Sequence, residues 1–407
     1  MIPRQKLDIG WSDLGYGLVM CFLKRDHDTA RNRIENHWSS AAGTLVTLSV
    51  RTGFDLLLRQ LALPEGSEIL VSAVTLRDIV VIIERHGLRA VPVDIEPDTC
   101  SPRCDLLERA ITPRCKAVLA AHLFGGRVDM TEIISVARRH NLLVFEDCAQ
   151  AYAADGYRGH DGSDVAMFSF GPIKTATALG GAVFLFRDTA LCRSVKSLQD
   201  LYPRQPQRRF LSRVIKYSLL KALSRRLPYS VFTALCRGLG RSHDQIINNS
   251  ARGFAGGELT TCIRYRPCAA LLALLERRLR RTGPDQLRPR VRAANLMISR
   301  LPSEFLAGQL AGHHSHWVFP IQSRDPDKLV HYLWARGFDA TRGASNMYAV
   351  PASGAGATAP IQAARLMDRI VYLPVGSVAN DTELQKLAAA VRHFATDRQP
   401  DNGEVYT

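Results

Sequence analysis

The chain has 407 residues, enough for two to three domains around a large core. Its 46% hydrophobic and 22% charged residues describe a soluble globular protein and exclude a disordered one. With 53 Lys plus Arg against 38 Asp plus Glu, the net charge of +15 suits an anionic partner, whether nucleic acid, a membrane surface or a phosphorylated substrate. No zinc-finger, RNP-like or helix-turn-helix signature favours nucleic acid.

Near the start, the apolar stretch Tyr16–Leu23 follows Asp8 and Asp13 and precedes Lys24-Arg25-Asp26, with no small-residue cleavage site. This argues against a signal peptide. From about residue 44 to 190, short β-branched runs alternate with amphipathic segments, the signature of a mostly parallel sheet covered on both faces. Strands are expected at Thr44–Ser49, Ile69–Ala73, Ala90–Asp94, Ala117–Ala121, Leu142–Glu146, Val165–Phe170 and Ala182–Phe186, with helices at Thr52–Leu61, Leu76–His86 and Met130–His140. Val165–Phe186 carries one charge, Lys174, over a bilayer-spanning length, but Gly171-Pro172 and Gly180-Gly181 break any continuous helix.

Between Arg204 and Arg241 there are ten Lys or Arg and no Asp or Glu, while Leu211, Val214, Ile215, Leu219, Ala222 and Leu223 recur at helical spacing. Such a basic amphipathic insertion fits docking on an anionic membrane. A helical pair packed on the core or a dimer partner, with its arginines in water, is the more ordinary reading. A helix follows over Cys268–Arg281, then a smaller α/β unit with a helix at Val291–Ser299, a strand at His316–Ile321, helices at Asp327–Arg336 and Asp381–Phe394, and a flexible loop at Ser353–Ala357. The expected organisation is therefore a large domain over 1–190, the insertion over 191–255, a connecting helix of the large domain over 256–285, and a small C-terminal domain over 286–407. The nine cysteines lack the paired spacing of a disulfide framework or a metal knuckle, so no metal is expected and the thiols read as buried and reduced.

The chemically informative residue is Lys174, set between two near-apolar runs, with Glu146-Asp147 closing a strand upstream. Desolvation disfavours an ammonium, so a lysine in this setting is a candidate Schiff-base nucleophile. Pyridoxal 5′-phosphate (PLP) is the cofactor that most often uses one, and its protonated ring nitrogen calls for a buried carboxylate, which Asp147 can supply.

The chain resembles the DegT/StrS family of PLP-dependent sugar aminotransferases, of fold type I. The match runs from Glu146-Asp147-Cys148-Ala149-Gln150-Ala151 through Gly162-Ser163-Asp164-Val165 and Phe168-Ser169-Phe170 to Lys174 and Gly180-Gly181-Ala182. It extends to Gly66–Ala73, Val93-Asp94, His122-Leu123-Phe124-Gly125, Asp129-Met130 and Leu373-Pro374. The resemblance implies that Lys174 forms the Schiff base and shuttles the substrate proton. It further implies that Asp147 pairs with the ring nitrogen, Gln150 contacts the ring, and Ser169 binds the phosphate. The phosphate cradle would include Arg51 and Thr52 in Ser49-Val50-Arg51-Thr52-Gly53, where the family usually shows Ser-Gly-Thr. Leu76 falls where the family stacks an aromatic on the ring. The family's Asn-Tyr-Arg segment, which reaches substrate or the partner subunit, appears here as Arg264-Tyr265-Arg266, with Arg264 in place of the Asn.

The implied function is transfer of an amino group from an amino acid, expected to be glutamate, to the keto group of a nucleotide-linked sugar or related metabolite. The implied assembly is a cytoplasmic homodimer, peripheral to the inner face of the membrane if residues 204–241 dock there. Retention of Lys174 favours transamination over the dehydrating branch of the family, which has histidine in its place. The competing reading is a catalytically inactive scaffold on the same fold, suggested by Val50, Leu76 and the insertion.

Overall fold

The computed structural model describes residues 1–396 apart from 5, 40–42, 252–257, 344–345, 353–357 and 377–378; the loop expected at Ser353–Ala357 lies outside the described residues. Two helices open the chain, α1 (Trp11–Met20) and α2 (His27–Trp38), the second capped by the Asp26 carboxylate, which accepts from the Thr29 N–H. Then come β1 (Gly43–Thr47), α3 (Val50–Leu61), β2 (Glu68–Ser72), the short β3 (Val74–Leu76), α4 (Arg77–Arg85), β4 (Arg89–Val93), α5 (Cys104–Arg109) and β5 (Cys115–Ala121). They continue through β6 (Gly126–Arg127), α6 (Thr131–Arg139), β7 (Leu143–Asp147), β8 (Val165–Ser169), β9 (Ala182–Phe186) and α7 (Thr189–Asp200).

All seven expected strands join one sheet, in the order β1-β9-β8-β7-β5-β2-β4. It is parallel from β8 to β4, and β9 runs antiparallel to both its neighbours. The strands read as apolar runs because helices cover both faces. On β8, Val165 and Met167 enter one core with α3, α4 and α7, while Ala166 and Phe168 enter the other with α1 and α2. Gly53 lets α3 lie against this sheet, since a Cβ there would stand 2.2 Å from Phe184 Cε2. Residues 191–200, read from the sequence with the insertion, pack instead on the sheet layer within α7. Cys192, Val195 and Gln199 are buried there, and the Gln199 amide donates to Val46 O at 3.0 Å.

Beyond α7 lie α8 (Gln207–Leu223), α9 (Arg226–Gly238) and α10 (His243–Ala251), then α11 (Leu259–Ile263) and α12 (Ala269–Arg281). The inner face of α8, with Phe210, Val214 and Tyr217, shares a core with α1 and α12. Helices α9 and α10 are tied to the C-terminal part of the chain through Asp339. Its carboxylate accepts from Arg4 Nε and Nη2, each at 2.8 Å, from the Tyr229 hydroxyl, and from His243 Nε2 at 3.3 Å.

The C-terminal part comprises α13 (Arg288–Ile298), β10 (His313–His314), β11 (Phe319–Gln322), α14 (Pro326–Ala335), β12 (Met347–Ala349), α15 (Ile361–Arg369), β13 (Ile370–Leu373) and α16 (Asp381–Thr396). β11 pairs antiparallel with β13, over a separate core built largely from α13, α14 and α16. The strand expected from His316 begins only at Phe319, because His316 itself turns through the left-handed region at φ 47°. β12 crosses back to pair with β3, placing Met347 opposite Leu76, so the two cores are interlocked rather than strung on a linker. Among the described residues no helix is long and apolar enough to cross a membrane.

Candidate active site

The carboxyl ends of β7 and β8 open into a cavity of about 770 Å³, the place where parallel α/β sheets hold their ligands. Lys174 lies five residues past β8, in a loop anchored on Phe170, whose carbonyl accepts from Ala178 N and Gly180 N, each at 3.1 Å. Lys174 N donates to Gly171 O at 3.0 Å, and Asp8 crosses from the N-terminus to accept from Ala176 N at 2.7 Å. Ala176 and Leu179 both hold positive φ, 54° and 64°, so the loop is locally strained and kept in shape by these contacts.

The Lys174 amine sits 3.9 Å from the centroid of the Trp317 ring, whose indole N–H donates to Ile173 O at 2.7 Å. Burial pushes the ammonium down to about 7, against the pull of Asp147 and with help from the Arg51 charge. Asp147, the last residue of β7, is buried, and its carboxylate accepts from Ala149 N at 2.9 Å. Burial raises its pKa, opposed by that hydrogen bond and by the Lys174, His122 and Arg51 charges. Behind it, the buried Glu146 accepts from His122 Nε2 at 2.8 Å, Ser163 Oγ at 2.7 Å and His160 N at 2.8 Å. His122 Nδ1 accepts in turn from Val128 N at 2.9 Å. The side chains of His122, Glu146 and Cys148 are close enough to share a metal, yet both imidazole nitrogens and both carboxylate oxygens are already engaged in hydrogen bonds.

The structure brings Lys174, Ser169, Arg51 and Leu76 to the wall of one cavity. Ser49, Val50 and Arg51 present the start of α3 to it, where first-turn amides favour an anion. Leu76 lies beside Ile79. Arg51 pairs with Asp78 at 2.5 Å while lining the cavity.

Other candidates are engaged elsewhere. Thr52 is fully buried and donates from its hydroxyl to Ile263 O at 2.8 Å, while its N–H donates to the capping Ser49 hydroxyl. The Gln150 carbonyl accepts from Phe124 N at 2.8 Å, and its amide faces the Met347 sulfur at 3.0 Å. Arg264 forks onto Asp55 at 3.1 and 3.2 Å, and Arg266 donates to Tyr202 O at 2.9 Å; neither lines the cavity.

Several lining residues lie far from the motif in sequence and were not singled out there. Besides Trp317, Arg290 of α13 donates to Ser315 O at 2.8 Å and to Thr175 Oγ1 at 3.3 Å, directly beside Lys174. Burial lowers its pKa to about 10, and it has no carboxylate in ion-pairing range among the described residues. From the insertion come Arg213, Tyr217 and Lys221 of α8. Eight Lys or Arg line the cavity against two carboxylates, Asp8 and Asp13, so its field favours an anionic ligand. No local signal marks Arg290 or Lys221, because their position depends on how remote helices pack.

Residues 36–219 match the DegT/DnrJ/EryC1/StrS aminotransferase family. The erythromycin biosynthesis sensory transduction protein EryC1 of Saccharopolyspora erythraea is 35% identical over 188 residues, covering 44% of this chain and 50% of the relative. A dTDP-3-amino-3,4,6-trideoxy-alpha-D-glucose transaminase of Streptomyces venezuelae is 37% identical over 167 residues, 39% of this chain and 43% of the relative. The chain thus matches half or less of the length of these curated relatives. The fold agrees over a far longer span: the crystal structure of S. venezuelae DesV in complex with a ketimine intermediate superposes with a TM-score of 0.67 at 22% identity, covering 96% of this chain and 95% of that one. The architecture is therefore the fold of the PLP-dependent sugar aminotransferases, and the stretch that matches the DegT/DnrJ/EryC1/StrS aminotransferase family, residues 36–219, holds Asp147, Ser169 and Lys174.

Proposed function

We propose that the protein is a PLP-dependent aminotransferase. It would move an amino group from an amino acid, glutamate being the expected donor, to the keto carbon of a nucleotide-linked sugar in cell-surface polysaccharide or secondary-metabolite biosynthesis. The observation that carries this reading is an amine pushed down to about 7, within the field of a buried carboxylate, in a cavity whose charged lining residues are mostly cations. The transaminase activity in the name of the S. venezuelae relative supports it.

The residues present fit the cofactor. Lys174 offers an aldehyde an amine far more often neutral than an ordinary lysine, and Asp147 offers a dry carboxylate to a ring nitrogen. Ser169, Arg51 and the first turn of α3 offer donors to a phosphate, while Leu76 and Ile79 offer an apolar cover for a ring. When bound, PLP supplies an aldehyde for the lysine and a ring that accepts electrons as the substrate carbon loses its proton. Lys174 would take that proton and deliver it to the carbon that entered as the aldehyde, which is joined to the substrate carbon through the transferred nitrogen. Asp147 would keep the ring nitrogen charged, Trp317, whose ring lies over the amine, would exclude water there, and Arg290 would hold an anionic group of the substrate. Thr52 and Gln150 contribute by shaping the backbone around these groups, since their own side chains are satisfied locally.

A homodimer belongs to this reading, and sedimentation at twice the mass of one chain tests it. Contact of residues 204–241 with an anionic membrane concerns a different surface and is independent of the chemistry. The scaffold alternative is disfavoured by the intact pair of Lys174 and Asp147.

Absorbance spectroscopy tests the proposal. Purified protein mixed with PLP should show the visible band of cofactor held covalently by lysine, and Lys174→Ala should not. Glutamate should bleach the band, and a keto sugar nucleotide should restore it. Identical spectra from the two proteins would discard the reading.

A further inference from the structure

Helices α8 and α9 each carry apolar side chains on two opposite sides. α8 buries Phe210, Val214 and Tyr217, yet Ile215, Leu219 and Leu223 are 48%, 62% and 42% exposed. α9 buries Tyr229, Thr233 and Cys236, yet its Leu227, Val231 and Leu235, with Leu239 just past its end, are 59–82% exposed. Each exposed set recurs every fourth residue, so it forms a line along its helix opposite the packed side. The chain just beyond α1, which packs against α8, adds Phe22 at 72% exposure. A surface helix normally keeps its outer side polar, and an apolar strip of this length needs cover.

The charges around the strip select its cover. Ten Lys or Arg and no carboxylate occur between Arg204 and Arg241, of which Arg213 and Lys221 face the cavity and Arg226 pairs with Glu383, while Arg208, Arg209, Lys216, Arg225, Arg237 and Arg241 are exposed; Lys24-Arg25 follow Phe22 and Leu23. A second copy meeting this face symmetrically would set like charges against each other. A bilayer with anionic headgroups instead accepts the aliphatic line among its acyl chains and the cations at its surface. No described helix is suited to span it. We propose that α8 and α9 form a monotopic docking face for anionic lipid membranes. Because the inner side of α8 also walls the Lys174 cavity through Tyr217 and Lys221, docking holds that cavity at the lipid surface.

Co-sedimentation of the full chain with vesicles tests this without reference to enzymatic activity. The protein should pellet with phosphatidylglycerol-containing vesicles and not with pure phosphatidylcholine, and raising the salt should weaken the binding. Combined Leu227→Ser, Val231→Ser and Leu235→Ser substitutions, outside the cavity wall, should lower the partition coefficient at least about tenfold. Lys216→Gln with Arg237→Gln, which leaves every apolar contact in place, should lower it severalfold and so guards against loss through misfolding. Equal pelleting with both lipids, or with neither, would overturn the proposal. So would a triple variant that sediments as a smaller oligomer than wild type in the absence of vesicles, because a second copy would then be the cover.

Discussion

At pH 7 an ammonium pushed down to about 7 is deprotonated in about half of the molecules, whereas an ordinary lysine at 10.5 is neutral in about one in 3000. The rate at which the cofactor-free protein captures PLP should therefore rise about tenfold per pH unit below 7 and level off above it, as followed by stopped-flow absorbance. Asp147 raises the Lys174 pKa, so Asp147→Asn should shift that inflection to lower pH. An inflection near 10.5 would show that the amine is hydrated like a surface lysine. Arg290 makes a second prediction at this scale. Its guanidinium is anchored by Ser315 O and Thr175 Oγ1 yet lacks a carboxylate among the described residues, which leaves its charge for a ligand. A charge-assisted hydrogen bond is worth about 1.5–3 kcal/mol, so Arg290→Met should raise the KM of the anionic substrate it holds by about ten- to a hundredfold. Separate titration of glutamate and sugar nucleotide then identifies which one it holds. Arg290→Lys should rescue little, because an ammonium cannot span both anchors and a ligand.

Among the elements, α9 and α10 depend most on one buried group. Asp339 has no exposed side-chain surface and gathers Arg4 from the N-terminus, Tyr229 from α9 and His243 from α10. Arg4 also reaches Asp244 at 2.6 Å, and Asp244 accepts from Thr341 Oγ1 at 2.6 Å, so three separate stretches of chain meet in one polar knot. Asp339→Ala leaves a buried guanidinium without its main partner, a change that costs about 3–5 kcal/mol. Limited proteolysis of this variant should cut between α8 and α11 well before any cut in the sheet, and its denaturant midpoint should fall. Although burial alone would raise it, the Arg4 charge and the hydrogen bonds hold the Asp339 carboxyl down at about 2. Its folded value lies below its ordinary one, so the knot contributes fully above about 4 and is lost as pH falls through about 2. Acid should thus free α9 and α10 over that window, a change absent from the variant.

Across the whole molecule, what the sequence conveyed followed the range of the interactions. The seven sheet strands were legible because double-sided burial writes uninterrupted apolar runs, and Lys174 and Asp147 because a charge inside such runs is rare. The pairing of β3 with β12 was not legible, since three-residue strands from opposite ends of the chain leave no periodicity. Arg264 and Arg266 were matched to a local motif, but the nearby Asp55 and the Tyr202 carbonyl hold their guanidinium groups. Trp317, Arg290 and Lys221 enter the site only when the C-terminal part and the insertion close over the sheet. The lining combines Ser169 and Lys174 at and just past the end of β8, here termed the floor, with Tyr217, Lys221 and Phe232 of α8 and α9, here termed the roof. An amino-acid donor is small enough to be handled at the floor, whereas about 770 Å³ also accommodates a far larger acceptor reaching the roof. Lys221 is buried, lines the cavity and has no carboxylate in ion-pairing range among the described residues; burial lowers its pKa. Lys221→Met keeps most of the stem and removes the charge, so it should leave bleaching of the lysine-bound cofactor by glutamate at the wild-type rate. Recovery of the band with a keto sugar nucleotide should require about tenfold more acceptor, the loss expected when one charge-assisted contact disappears. Equal impairment of the two halves would mean that the roof acts by holding the fold together rather than by recognising the acceptor.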